Sequence, residues 1–145
     1  MKARHIVLLL VGAPLVVWAL LSCDLGAISI DQRISTFQSD LNSSSRTNVY
    51  LDFHPTLTSE YNALKNPSLS GIDTEFPGAS YTLSIVDESN PVSGVIVLVS
   101  GASPGSAYVG NWYLLLTMAT YNNNDWRIVT LSDSQTTSGW TLRFY

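Results

Sequence analysis

At 145 residues the chain is one domain's worth of sequence, enough to bury roughly two thirds of the surface its unfolded form exposes. Only 12% of the residues are charged and the formal net charge is −4, so the clustered Lys and Arg that phosphate backbones require are missing and nucleic acid is excluded as a partner. A single cysteine excludes an intramolecular disulfide, and His54 as the only histidine after residue 5 excludes a Cys/His zinc site; only weak oxygen-ligand metal sites stay open and no cofactor is expected.

Lys2 and Arg4 precede an apolar stretch from Ile6 to Leu21 that ends in the small residue Ser22, the charged, hydrophobic and small-residue order of a secretory signal over residues 1–22. As a helix this stretch would span only about 24 Å, short of a hydrocarbon core of roughly 30 Å, and Gly12-Ala13-Pro14 interrupts it. Export is the expectation, rather than a stable membrane span. The boundary Leu20-Leu21-Ser22-Cys23 resembles the bacterial lipobox, in which an aliphatic residue, a tolerant position and a small residue precede a cysteine. The resemblance implies a diacylglyceryl group on the Cys23 thiol, cleavage before Cys23 and acylation of the new amino terminus. Each buried methylene contributes about 0.8 kcal/mol, so two or more acyl chains anchor stably where one is marginal. Asp24 resembles the signal that retains lipoproteins in the inner membrane of enteric-type bacteria; other lineages sort differently, which leaves inner and outer membrane both open.

The organisation that follows is a lipidated tether over residues 23–28 and a domain over residues 29–145, facing the periplasm or the exterior, with the membrane as its partner. Without the signal the chain keeps five basic residues against all eleven acids, a formal −6.

Ser29-Ile30-Asp31-Gln32 reads as a capping box, so a helix begins there. Ile30, Ile34, Phe37 and Leu41 form its apolar stripe, Asp31, Gln32, Ser35 and Asp40 are assigned to water, and residues 42–45 close it. A second short helix is predicted from Thr47 to Phe53, stopped by Pro55, and a third from Ser59 to Lys65, with Thr58 as cap and Asn66-Pro67 as terminator. From Ala79 onward the signals are strands: Tyr81 to Asp87, Val92 to Ser100, Ala107 to Tyr121, Trp126 to Ser132 and Trp140 to Tyr145. The third would be about 50 Å long if straight, so Gly110-Asn111 is read as a bulge or sharp bend. Helices followed by a meandering sheet make the class α+β, with N-terminal helices packed on a strongly curved antiparallel sheet.

Between Glu88 and Asp125 there is no Asp, Glu, Lys, Arg or His, although this interval holds the two most apolar strands. Acid–base chemistry on a curved sheet draws on a carboxylate, His or Arg pointing inward from a central strand, and these strands have none to offer. Both faces of the sheet read as apolar. Helices can cover one, and the other must line a closed cavity, pack in a homodimer or meet a partner.

An amphipathic helix, two short helices, then a long apolar strand at residues 113–121, a polar turn and Asp125-Trp126-Arg127-Ile128-Val129 resemble the nuclear transport factor 2-like fold, whose superfamily includes ketosteroid isomerase and the SnoaL-like proteins. The resemblance covers roughly residues 28–133 and implies a cone-like sheet with a pocket at its wide end. Isomerase-like members carry a carboxylate base inside the cone, which the central strands here do not supply.

His54 sits before a proline at a helix end, and Asp52, Asp73 and Glu75 fall in helix-end or loop sequence, so none is assigned a catalytic role. Phe53, Tyr61, Phe76, Trp112 and Trp126 are the aromatic side chains that would line a pocket for an apolar ligand, or else form the core. The expected function is that of a lipid-anchored envelope protein binding a small apolar ligand or a protein partner without chemistry. The alternatives are a small-molecule isomerase or hydrolase-like enzyme and a structural subunit of an envelope complex.

Overall fold

The computed structural model describes residues 27–78, 80–101 and 110–144. The expected signal, lipidated Cys23 and Asp24 lie outside them. The described chain is α+β, with a few short helices preceding a five-stranded antiparallel sheet.

Helix α1, Ile30–Asn42, starts where the sequence predicts. Ser29 Oγ accepts from the Gln32 amide at 3.2 Å and Gln32 Oε1 accepts from the Ser29 amide at 2.9 Å, so two amides at the open helix end are satisfied reciprocally. Ile34, Phe37 and Leu41 are buried, as the stripe requires, and so is Arg33. The far end of α1 docks on the sheet edge through two amide side chains. Asn42 exchanges two 2.8 Å bonds with the backbone of Tyr81, and Gln38 Oε1 accepts from the Leu83 amide at 2.7 Å. These side chains stand in for a missing neighbour strand.

The second predicted helix is a single 3₁₀ turn, Val49–Asp52. The third shortens to α2, Tyr61–Leu64, because the Thr58 hydroxyl does not cap it; that hydroxyl donates to the carbonyls of Ile128 and Val129 at 3.1 and 3.0 Å. The helix ends at its cap residue Lys65, before Asn66-Pro67 as predicted, and the same pair opens a further turn. Asn66 accepts from the Leu69 amide and Pro67 occupies the first position of α3, Pro67–Ser70, where no amide is needed. Gly71, at φ +84°, ends α3 and opens α4, Ile72–Glu75.

Strands β1 (Thr82–Asn90), β2 (Gly94–Ser100), β3 (Trp112–Tyr121), β4 (Asp125–Ser134) and β5 (Thr141–Phe144) lie in sequence order, each antiparallel to the next. β3 is ten residues long, begins after Gly110 (φ +83°), and meets β4 through a turn whose three asparagines, residues 122–124, all have positive φ. Asparagine tolerates that region better than other non-glycine residues. Register shifts fall between Ile85 and Asn90 in β1 and between Thr117 and Met118 in β3, and each bends the sheet.

The two faces of the sheet differ as strand alternation demands. Val95, Val97, Val99, Trp112, Leu114, Leu116 and Met118 point under the helices and are fully buried. Ile96, Leu98, Tyr113 and Leu115 point the other way and are half-buried, with no charged side chain on β2 or β3. The lower half of the free edge of β4 is covered by chain rather than strand: Phe53 bridges Ile128, and the His54 amide donates to the Ile128 carbonyl at 2.7 Å.

Candidate functional site

The aromatic residues singled out by sequence separate into two groups. Phe53, Phe76 and Trp112 are at most 1% exposed. Phe37 meets Phe53 and Phe76 edge-on at 6.0 and 6.3 Å, Phe53 meets Phe144, and Phe76 lies between Tyr81 and Trp112. Such edge-to-face contacts pack the space between helices and sheet with the protein's own rings. Tyr61 is elsewhere, half-buried and edge-on to Tyr50 at 5.6 Å, with the Lys65 ammonium 5.2 and 5.7 Å from the two ring centres. Trp126 is half-buried against the core, and its backbone holds two other segments: its amide donates to Ile28 and its carbonyl accepts from Arg33.

The most polar buried place in the molecule is built around Arg33, which the sequence reading passed over. Its guanidinium donates from Nε to the Trp126 carbonyl at 2.8 Å, from Nη1 to Asp52 at 2.8 Å and from Nη2 to Asp125 at 2.7 Å. Asp125 also binds Arg127 through its second oxygen. α1, the 3₁₀ turn and the start of β4 are thus joined by a fan of charge-assisted bonds. The signal lay in the helical spacing. Arg33 falls between Ile30 and Phe37 on the apolar stripe, a position where a cation must bring its own acid. Asp40, assigned to water, is on that same side, seven residues on.

Asp52 is wholly buried, and its Oδ2 has no N–H or O–H donor among the described residues. Burial pushes Asp52 up to about 7, against the opposing pull of Arg33 and with a smaller push from the charge of Asp40. Asp40 is raised as well, chiefly by partial burial. A near-neutral acid is a usual mark of catalysis. Here no substrate can touch it, because Asp52 has no exposed surface and its other oxygen is occupied by Arg33.

The remaining candidate acids and base are also tied into the fold. His54 is 5% exposed, and its Nδ1 accepts from the amides of Thr56 and Leu57 at 3.3 and 3.2 Å, which leaves the ring proton on Nε2 and the ring edge-on to Tyr121. Asp73 accepts from Arg46 and Ser68, and Glu75 accepts from Arg143, whose Nε binds Asp133. Among the described residues no group of three His, Cys, Asp or Glu side chains is gathered to hold a metal, and no helix is long and apolar enough to cross a membrane. No family model, curated protein or solved structure matches this chain.

Proposed function

We propose that the chain is a lipid-anchored protein of a bacterial cell envelope whose α+β domain, a cone-like sheet under helices in the manner of the nuclear transport factor 2-like proteins, binds a small apolar ligand or a protein partner without chemistry. What carries the reading is the tetrad Leu20-Leu21-Ser22-Cys23, standing directly after a charged start and an apolar run. Its non-catalytic half is supported by the engagement of Asp52, His54, Asp73 and Glu75 in ion pairs and backbone hydrogen bonds. Metabolic labelling with a fatty acid tests the anchor. The native protein takes up label and sediments with membranes, and Cys23→Ala abolishes both; membrane retention without label by either form refutes it.

A protein partner, and in particular a second copy of the chain, is favoured by one observation. The half-buried Ile96, Leu98, Tyr113 and Leu115 form an uncharged face on the side of the sheet that α1 does not cover. Sedimentation of the detergent-solubilised protein checks this: Leu98→Lys converts a dimer to a monomer, whereas a native monomer with no co-purifying protein argues for a small ligand.

A further inference from the structure

The chain enters the fold at one end of the sheet, and its route there constrains what that end faces. The Ile28 carbonyl accepts from the Trp126 amide at 3.1 Å, so the residue just before the Ser29 cap of α1 is fixed beside the turn that joins β3 to β4. Five Cα steps separate Cys23 from Ile28, a reach of at most about 17 Å even when fully extended. β4, with ten residues, is about 33 Å long and runs away from that point. A domain held at Cys23 therefore keeps its Trp126 end near whatever holds the cysteine, while the turn at residues 135–139 lies about a strand's length from that end.

The near end also gathers side chains suited to a lipid–water boundary. Tyr50 and Tyr61 sit edge-on under the exposed Lys65. Tyr121 packs against His54, and the charge of Arg127 and the phenol of Tyr121 are both felt at the Tyr61 hydroxyl. Leu57, in the turn held by His54, is 54% exposed. Tyrosine and tryptophan settle at the headgroup layer because the ring is apolar while its polar tip stays hydrated, and lysine stems reach across the same boundary.

We propose that this end of the domain docks on the headgroup layer of the bilayer that holds the Cys23 acyl chains, with Tyr50, Tyr61, Tyr121 and Leu57 in the interface. The inference rests on the lipid-anchor reading and adds the surface that the anchored domain uses. The competing surface is the uncharged open face of β2 and β3. Its central residues Ile96, Leu98, Tyr113 and Leu115 carry no charge, and so suit a protein better than a hydrated headgroup layer.

Because lipidation consumes the Cys23 thiol, an introduced cysteine is the sole free one in the mature protein, and a fluorophore can be placed at will. Full-length lipidated Leu57→Cys, Ser84→Cys and Thr137→Cys, labelled and reconstituted in phosphatidylcholine vesicles doped with nitroxide-headgroup lipid, report the near end, the open face and the far end. The expected result is loss of most of the fluorescence at position 57, a small loss at 84 and none at 137. Loss at 84 or 137 equal to that at 57 overturns the docking. Replacing both rings (Tyr50→Ser, Tyr61→Ser) should relieve the quenching at 57; unchanged quenching means tether length alone brings the site close and also overturns it. Acyl mass and vesicle sedimentation separate the two levels. Protein without acyl chains refutes the anchor and the docking together, whereas acylated, sedimenting protein that is unquenched at 57 refutes the docking alone.

Discussion

Replacing Asp52 by asparagine should flatten the dependence of this protein's stability on pH. The native carboxyl is fully buried, with one oxygen on Arg33, and burial pushes it from 3.8 up to about 7. In the unfolded chain the same group ionises near 3.9 (about the value in model peptides). Between those two values the folded protein holds a proton that the unfolded chain has released. Stability from this group is therefore complete below about pH 4 and is lost as pH rises through about 7. At about 1.4 kcal/mol for each pH unit, the loss amounts to roughly 4 kcal/mol, a large part of a small domain's total. Asparagine fits the same space and accepts from Arg33 through its carbonyl with no proton to lose. Guanidinium unfolding of the detergent-solubilised protein, followed by tryptophan fluorescence from about pH 4.5 to 8.5, measures the slope. Native protein should weaken steadily toward alkaline pH, and Asp52→Asn should keep most of its acid-side stability. A native profile that is flat or rises from pH 5 to 8, or an Asp52→Asn profile with the native slope, refutes the raised ionisation of Asp52.

Ser29→Ala removes one half of the capping box and should cost about 1 kcal/mol, read as a drop of a few degrees in Tm. Asn42→Ala should cost about 2 kcal/mol, since it abandons both backbone groups of Tyr81 at the sheet edge, and should speed amide exchange there before it does so in β3. Gly101→Ala should lower Tm more than either, because φ is +84° and the added methyl would collide with the Ser80 carbonyl oxygen. Binding of the ligand or partner, assayed from about 0.05 to 1 M salt, should change little, since screening weakens only contacts between exposed charges.

The secondary structure was most legible where a local rule acts alone. Ser29 and Gln32 set the start of α1 by their own geometry, and the asparagines at residues 122–124 mark the β3–β4 turn, so both could be placed from sequence. The short helices were misjudged because tertiary bonds took their caps. The Thr58 hydroxyl is spent on the backbone of β4, so the third helix starts late, and Asn66, beyond its end, also caps a further turn with Pro67 at its first position. The buried charges were hidden for a related reason. A stripe of Ile30, Ile34, Phe37 and Leu41 is strong enough to define the helix without asking what Arg33 does on it, and its partners Asp52 and Asp125 lie 19 and 92 residues away. Composition gives no sign of pairing over such separations.

The ion pairs account for the character of the surface. Beyond residue 22 the chain has five basic side chains. Arg33, Arg46, Arg127 and Arg143 each donate to a carboxylate of the fold, and Lys65 lies over two tyrosine rings. An anionic ligand would have to take an arginine from a partner it already holds, at the cost of stranding a carboxylate; for Asp52 that carboxylate would be fully buried. The groups left for recognition are the hydroxyls and amides of the turns, the rings beside the tether and the uncharged face of β2 and β3. All of them act through shape, apolar contact and neutral hydrogen bonds. With its arginines and its one histidine committed to holding the fold together, the domain leaves recognition to uncharged groups.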